Sequence, residues 1–207
     1  MPGELLMVSL LLASPANPIQ SAIERYQDVA SYQVVVKSSS GSQTEIMRYY
    51  FRKPGYVRME FVKPFNGATL IYDPVRKQAK LWPFGYRSFP AFTLSPENRL
   101  IQSSTGQRVD QSDVGALFQN VKALQAHGKT EVIGIEPVGG KETVHVTVDG
   151  NQGFPVETVH RYQLWLDKTI GFPLKVSSYN ATGQLIEVVE MDELQINPPF
   201  PDDLFNQ

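Results

Sequence analysis

The sequence predicts an α+β domain: a curved antiparallel sheet of about ten strands, with two amphipathic helices covering its concave apolar face. Three observations carry this. Apolar and polar residues alternate at period two through most of the chain, between Gly, Asn and Asp-Pro turn signals. Two segments break that rhythm with apolar stripes spaced i, i+3, i+4 and i+7. The second of these interrupts the strands mid-chain, which favours a curved sheet with a helical plug over a two-sheet sandwich. About ten strongly twisted strands curl rather than stay flat.

The first 16 residues contain "ELLMVSLLLASPA", an apolar run of the length of a signal-peptide core. It is far short of the ~20 residues that a membrane-spanning helix needs. Small residues from Ala13 to Ala16 suit cleavage, although Met1 to Glu4 carries no Lys or Arg, which leaves a start further upstream or a buried helix as alternatives. Residues 1–16 are read as a signal peptide or its remnant, and 17–207 as a single domain.

The first helix is expected in "NPIQSAIERYQDVASY", with Asn17 as cap, Pro18 in the first turn and Ile19, Ala22, Ile23, Tyr26 and Val29 as its stripe. Strands follow over Tyr32 to Lys37 and Glu45 to Arg52, separated by Ser-rich "KSSSGSQT". In "YYFRKPGYVRMEFVKP", Met47, Tyr49 and Phe51 share one face, and Val57, Met59 and Phe61 repeat the pattern after the Lys53-Pro54-Gly55 turn. Arg48, Arg52 and Arg58 point the other way and are read as solvated charges or partners of Glu45 and Glu60. "GATLIYDP" and "KQAKLWPFG" continue the strands. The connection from Trp82 to Leu94 holds Phe84, Tyr86, Phe89 and Phe92 among prolines and is too interrupted for a regular element. The second helix lies in "DQSDVGALFQNVKALQAHG", with Val114, Leu117, Phe118, Val121 and Leu124 on one side and Gly128 ending it. Five strand candidates complete the chain.

Composition narrows the function classes. A formal charge of -2 argues against a nucleic-acid binder, which needs a concentrated basic face. No cysteine means no disulfide, no thiolate metal site, no cysteine nucleophile and no lipidated cysteine. His127, His145 and His160 lack metal-pair spacing; nucleophile-elbow, phosphate-loop and dinucleotide motifs are absent. Asp192 and Glu193 are neighbours that a regular strand turns to opposite faces. The chain is read as a non-enzyme without metal or cofactor.

"FRKPGYVRMEFVKPFNGATLIYDP" and "LWLDKTIGFPLKVSSYNATGQLIEVVEMDELQINPPFPDDLF" resemble the outer-membrane lipoprotein-sorting superfamily of LolA-type carriers and their relatives. The resemblance rests on Lys53-Pro54, Arg58, Trp165-Leu166-Asp167-Lys168, Gly171-Phe172-Pro173 and Asp203-Leu204-Phe205, and extends loosely over Asn17 to Phe205. It implies an unclosed half β-barrel whose cavity, lidded by helices, accepts acyl chains. On this reading Met47, Tyr49, Phe51, Val57, Met59, Phe61, Leu117, Phe118 and Val121 line a lipid-binding cavity, since Met and aromatics give an adaptable apolar surface. The bland alternative for the same residues is permanent core. Lys53 stands where such carriers usually have an Arg that holds the lid by hydrogen bonds to its backbone; Lys supplies a point charge instead of a planar fork. Trp82, Phe84, Tyr86, Phe89 and Phe92 are the expected mobile rim, with a fixed proline strut as the alternative.

The implied function is that of a periplasmic carrier in a Gram-negative-type bacterium. It would be a monomer that binds lipid or acylated lipoprotein cargo and passes it from an inner-membrane donor to an outer-membrane acceptor, with no nucleic-acid partner. A rival from another class is an RseB-like sensor or adaptor that signals through protein contacts; such regulators usually carry a second domain, whereas this chain stops at Gln207. A filled structural barrel is the third possibility.

Overall fold

A computed structural model describes residues 17–207; the expected signal peptide lies outside the described residues. Helix α1 spans Pro18–Tyr26. The Asn17 side chain accepts the Ile19 and Gln20 amides, two donors that a helix start leaves unpaired. Strands β1 (Ser31–Ser40), β2 (Gln43–Arg52), β3 (Tyr56–Lys63), β4 (Thr69–Asp73), β5 (Gln78–Trp82) and β6 (Phe92–Leu94) follow. Helix α2 (Val114–Ala126) then crosses, and β7 (Gly128–Val138), β8 (Lys141–Gly150), β9 (Arg161–Asp167), β10 (Pro173–Tyr179) and β11 (Leu185–Ile196) complete the chain.

The strands form one antiparallel sheet in the order β6-β5-β4-β3-β2-β1-β11-β10-β9-β8-β7. Pairing of β1 with β11 joins the two halves of the chain, while β6 and β7 remain unjoined edges, so the barrel stays open. Irregular register at Gln33/Val35 and left-handed Glu193 (φ 54°) put a bulge at this central seam. Bulges bend a strand and increase local twist, which supports the curl.

The architecture matches the fold class expected from alternation, with eleven strands instead of about ten. Two local expectations are corrected. The Ser-rich stretch is strand nearly to its tip, because Ser38 and Ser40 hydroxyls donate to Glu187 Oε1 and the Ile186 carbonyl on β11. The aromatic connection contains the short regular strand β6, paired to β5 through Leu81 and Phe92.

Two apolar cores result. The larger lies between the concave face and both helices and includes Ile19, Tyr32, Phe118, Val121, Leu124 and Leu164. The smaller lies on the convex face, where Phe205, Leu204 and Phe200 of the C-terminal segment cover Ile71 and Trp82. Arg58 is buried beneath this segment, donating to the Leu204 carbonyl (2.9 Å) and pairing with Glu60 (2.8 Å). The expected Glu60 partnership is present, but Arg58 is not a solvated charge. The Arg52 guanidinium lies 4.7 Å from the Phe205 ring centroid.

Candidate functional site: the helix-capped concave face

Antiparallel register sets Met47 opposite Phe61, Tyr49 opposite Met59 and Phe51 opposite Val57, so period two presents all six to one face. Five are buried and Phe61 is partly buried. Phe118 and Val121 are buried in the same core, and Leu117 packs at its margin. All nine expected cavity residues therefore meet, packed against the protein's own helices.

Tyr32, which sequence reasoning placed in a strand but not in the site, is the centre of this assembly. It stacks on Phe51 (5.1 Å) and Tyr49 (6.0 Å) and meets Phe172 edge-on (5.1 Å). Its hydroxyl accepts the Val114 amide at 3.2 Å, and the Tyr49 hydroxyl lies 2.9 Å from Ser112 Oγ. Two phenols thus tie the start of α2 to the sheet. Burial drives both well above the usual tyrosine range, so they remain neutral. Alternation through Tyr32, Val34 and Val36 was the available signal.

Helix α1 buries Ile19 and Ala22 in the core and has its polar fastening to the rest of the fold at its C-terminal end. Lys53 Nζ donates to the carbonyls of Gln27 (2.8 Å) and Tyr26 (3.3 Å), the helix end where a cation is favoured. Arg25 donates to the Thr169 carbonyl at 2.7 Å and the Lys168 carbonyl at 3.3 Å. Between this end, residues 169–172 and Ile196-Asn197 opens a cleft of about 280 Å3, whose apolar wall includes Ala22, Val29, Ile170 and Phe172. Tyr26 reaches inward and meets Phe118 edge-on at 5.6 Å. Its buried hydroxyl lies at the start of α2, beside the Asp113 carboxyl and the Gly115 backbone, and burial drives it well above the usual tyrosine range. Asp113 caps α2 through the Gly115 and Ala116 amides; burial nevertheless raises its pKa.

The five expected rim residues separate. Trp82 is buried in the convex core and meets Tyr86 edge-on at 5.1 Å; the Tyr86 hydroxyl donates to the Asn206 carbonyl. Phe84, Phe89 and Phe92 face solvent.

The end of the interior away from Lys53 is polar. Glu187 accepts Ser38 Oγ at 2.5 Å, and burial raises its pKa, with Glu45 adding repulsion and the Ser38 hydroxyl partly offsetting both. A carboxyl raised in the folded state contributes stability at low pH that is lost as pH rises through its folded pKa. Glu187→Gln should therefore unfold at higher urea than the parent at pH 7. That advantage should close as pH falls from the folded pKa of Glu187 towards the ordinary glutamate value.

His145 and His160 do not approach one another as a pair. His145 stacks on Trp165 at 4.1 Å and contacts Glu136, which also accepts Trp165 Nε1; these two bonds lower the Glu136 pKa. His160 Nδ1 lies 3.0 Å from the Phe154 carbonyl. Among the described residues no group of three His, Cys, Asp or Glu side chains is placed to hold a metal, and no described helix is long and apolar enough to cross a membrane.

An open antiparallel half-barrel with two helices on its concave face is a LolA-like fold. Within that class it belongs to the MucB/RseB N-terminal domain family, whose model matches residues 19–207. Similar solved structures include the MucA/MucB complex of Pseudomonas aeruginosa, at 17% identity over 90% of this chain and 61% of that one, with TM-score 0.51. An uncharacterised conserved protein of Thermus thermophilus is similar at 11% identity over 92% and 94% of the two chains, with TM-score 0.57. The Mycobacterium tuberculosis lipoprotein LppX is similar at 9% identity over 89% and 95%, with TM-score 0.53. At these identities the likeness is one of fold. The chain spans about three-fifths of the MucB chain in that complex. No curated protein matches it.

Proposed function

We propose that this chain is the acyl-binding domain of a periplasmic, RseB-like adaptor. It admits the hydrocarbon of a lipid or lipoprotein between its helices and the concave sheet, and reports the event through the displaced helices. One observation carries this reading: α1 and α2 cover the apolar face, with Ile19 and Ala22 of α1 buried in the core, yet the polar contacts that fasten the C-terminal end of α1, from Lys53 and Arg25, are few and exposed. A ligand entering a filled interior must move its cover, so occupancy becomes a change of shape that a partner can sense.

Each buried methylene gains about 0.8 kcal/mol, so a dozen carbons supply about 10 kcal/mol before the costs of binding and opening. Met47 and Met59 provide flexible lining, and Lys53 acts as the latch. Family membership supports the adaptor, as does the periplasmic part of MucA bound to the related MucB.

A second reading, favoured by the cleft at the end of α1, is a monomeric shuttle that carries lipoprotein from an inner-membrane donor to an outer-membrane acceptor. Both readings are non-catalytic and share the acyl site. Titration with a fluorescent fatty acid tests that site. We expect saturable uptake with micromolar or tighter Kd, displaced by an acylated lipopeptide, and about fivefold tighter binding by Lys53→Ala, because removing exposed hydrogen bonds worth about 1 kcal/mol makes opening easier. No saturable uptake by the parent would end this reading.

A further inference from the structure

Two neighbouring loops at the barrel end opposite Lys53 carry aromatic side chains that the fold leaves in water. Phe65 is 66% exposed, Phe84 75% and Phe89 93%. The first lies on the β3–β4 turn and the others on the β5–β6 connection. Pairing of Thr69 with Trp82 brings the bases of these loops together, and a Cβ added at Gly85 would lie only 3.9 Å from the Gly67 carbonyl.

The loops are folded supports. Gly67 and Ala68 amides donate back to the Phe61 and Phe65 carbonyls, and Ser88 closes a turn on the Gly85 carbonyl. Tyr86 anchors the second loop between Trp82 and the Arg58 guanidinium, 4.4 Å from its ring. The large apolar tips are therefore held outward instead of collapsing onto either core. Residues 62–67 and 83–92 contain Lys63 and Arg87, both exposed, and no Asp or Glu.

We propose that these loops seat the domain on an anionic lipid bilayer. Phe65, Phe84 and Phe89 enter the headgroup boundary, and Lys63 and Arg87 meet lipid phosphates. The chemistry fits this occupant on two counts. Separate convex tips suit a deformable apolar medium, whereas a protein partner of fixed shape would need a groove or a flat face. Aromatic rings beside uncompensated cations match an interface that is apolar below and negative above. In this pose the Lys53 end points into the aqueous phase, where the helices are free to lift. The inference goes beyond acyl binding and uses none of the residues that line the proposed acyl site or its Lys53 latch: Phe84 and Phe89, expected at the rim, stand in solvent outside the concave core.

The test is flotation of the full chain with vesicles of phosphatidylglycerol and phosphatidylethanolamine, against pure phosphatidylcholine, at low and high salt. The parent should float with the anionic vesicles and release as salt rises. Phe65→Ser/Phe84→Ser/Phe89→Ser should bind at least tenfold more weakly, and Lys63→Glu/Arg87→Glu should lose binding to anionic vesicles specifically. Circular dichroism checks that both variants fold. Fatty-acid uptake should be unchanged in both, which separates this proposal from the acyl-binding reading. Absence of parent flotation, equal flotation by the triple variant, or its loss of fatty-acid uptake would each overturn the proposal. So would aromatic-dependent self-association of the parent without vesicle binding.

Discussion

Phe118→Ala is expected to lower the unfolding free energy by about 3–5 kcal/mol in urea titrations and, at the same temperature, to tighten fatty-acid binding. Phe118 is 3% exposed at the centre of the helical cover, edge-on to Tyr26 and packed in the concave core. Removing its ring takes away the transfer energy of a large side chain and leaves space lined by apolar atoms, which water does not fill favourably. In an ordinary filled core the variant would only be weaker. Here the vacated volume lies where the hydrocarbon is proposed to go, so the two effects should run in opposite directions. A destabilised variant with unchanged or weaker uptake would mean that the ligand does not pass beneath α2.

Gly150→Ala should lose about 3 kcal/mol or more, or fail to fold. Gly150 pairs with Gly128 where β8 and β7 run under the C-terminal end of α2. A Cβ at Gly150 would stand 2.1 Å from the Phe154 carbonyl oxygen and 3.0 Å from Leu124 Cδ1; at Gly128 it would stand 1.9 Å from the Asp149 carbonyl. Backbone atoms cannot rotate aside as a flexible side chain can. The Gly150 backbone is ordinary extended chain (φ -69°, ψ 138°), so the loss is steric and not a matter of left-handed strain. Gly55→Ala is the control: its Cβ would meet Pro74 at an ordinary 3.5 Å, and thermal denaturation should show little change. The contrast places the fixed end of α2 at the glycine pair, opposite in character to the exposed, polar fastening of α1.

Local periodicity made much of this readable. Alternation assigned Met47, Tyr49, Phe51, Val57, Met59 and Phe61 to one face, and stripes assigned both helices, because side-chain direction follows directly from strand and helix geometry. The placement of Lys53 at the α1 carbonyls came from resemblance and not from periodicity. What was not legible depends on contacts between distant parts of the chain. Nothing local in Arg58 indicates that Leu204 will accept its hydrogen bond, or that Phe205 will cover Ile71 and Trp82. The Ser-rich turn was read by composition, yet its hydroxyls find partners on β11 and extend the strand. How completely the interior fills was equally hidden, since that depends on the fit of side chains from both halves of the chain. The aromatic connection shows the limit of pattern reading: Trp82 is core, whereas Phe84 and Phe89, a few residues on, are surface.

Amide hydrogen exchange, with and without saturating fatty acid, tests the central claim most directly: hydrocarbon is admitted by movement of the helical cover. The account predicts that Pro18–Tyr26 and Val114–Ala126 exchange faster in the occupied protein while the paired amides of β1 and β2 keep their protection. Saturated binding that leaves both helices unchanged, or slows their exchange, would contradict it.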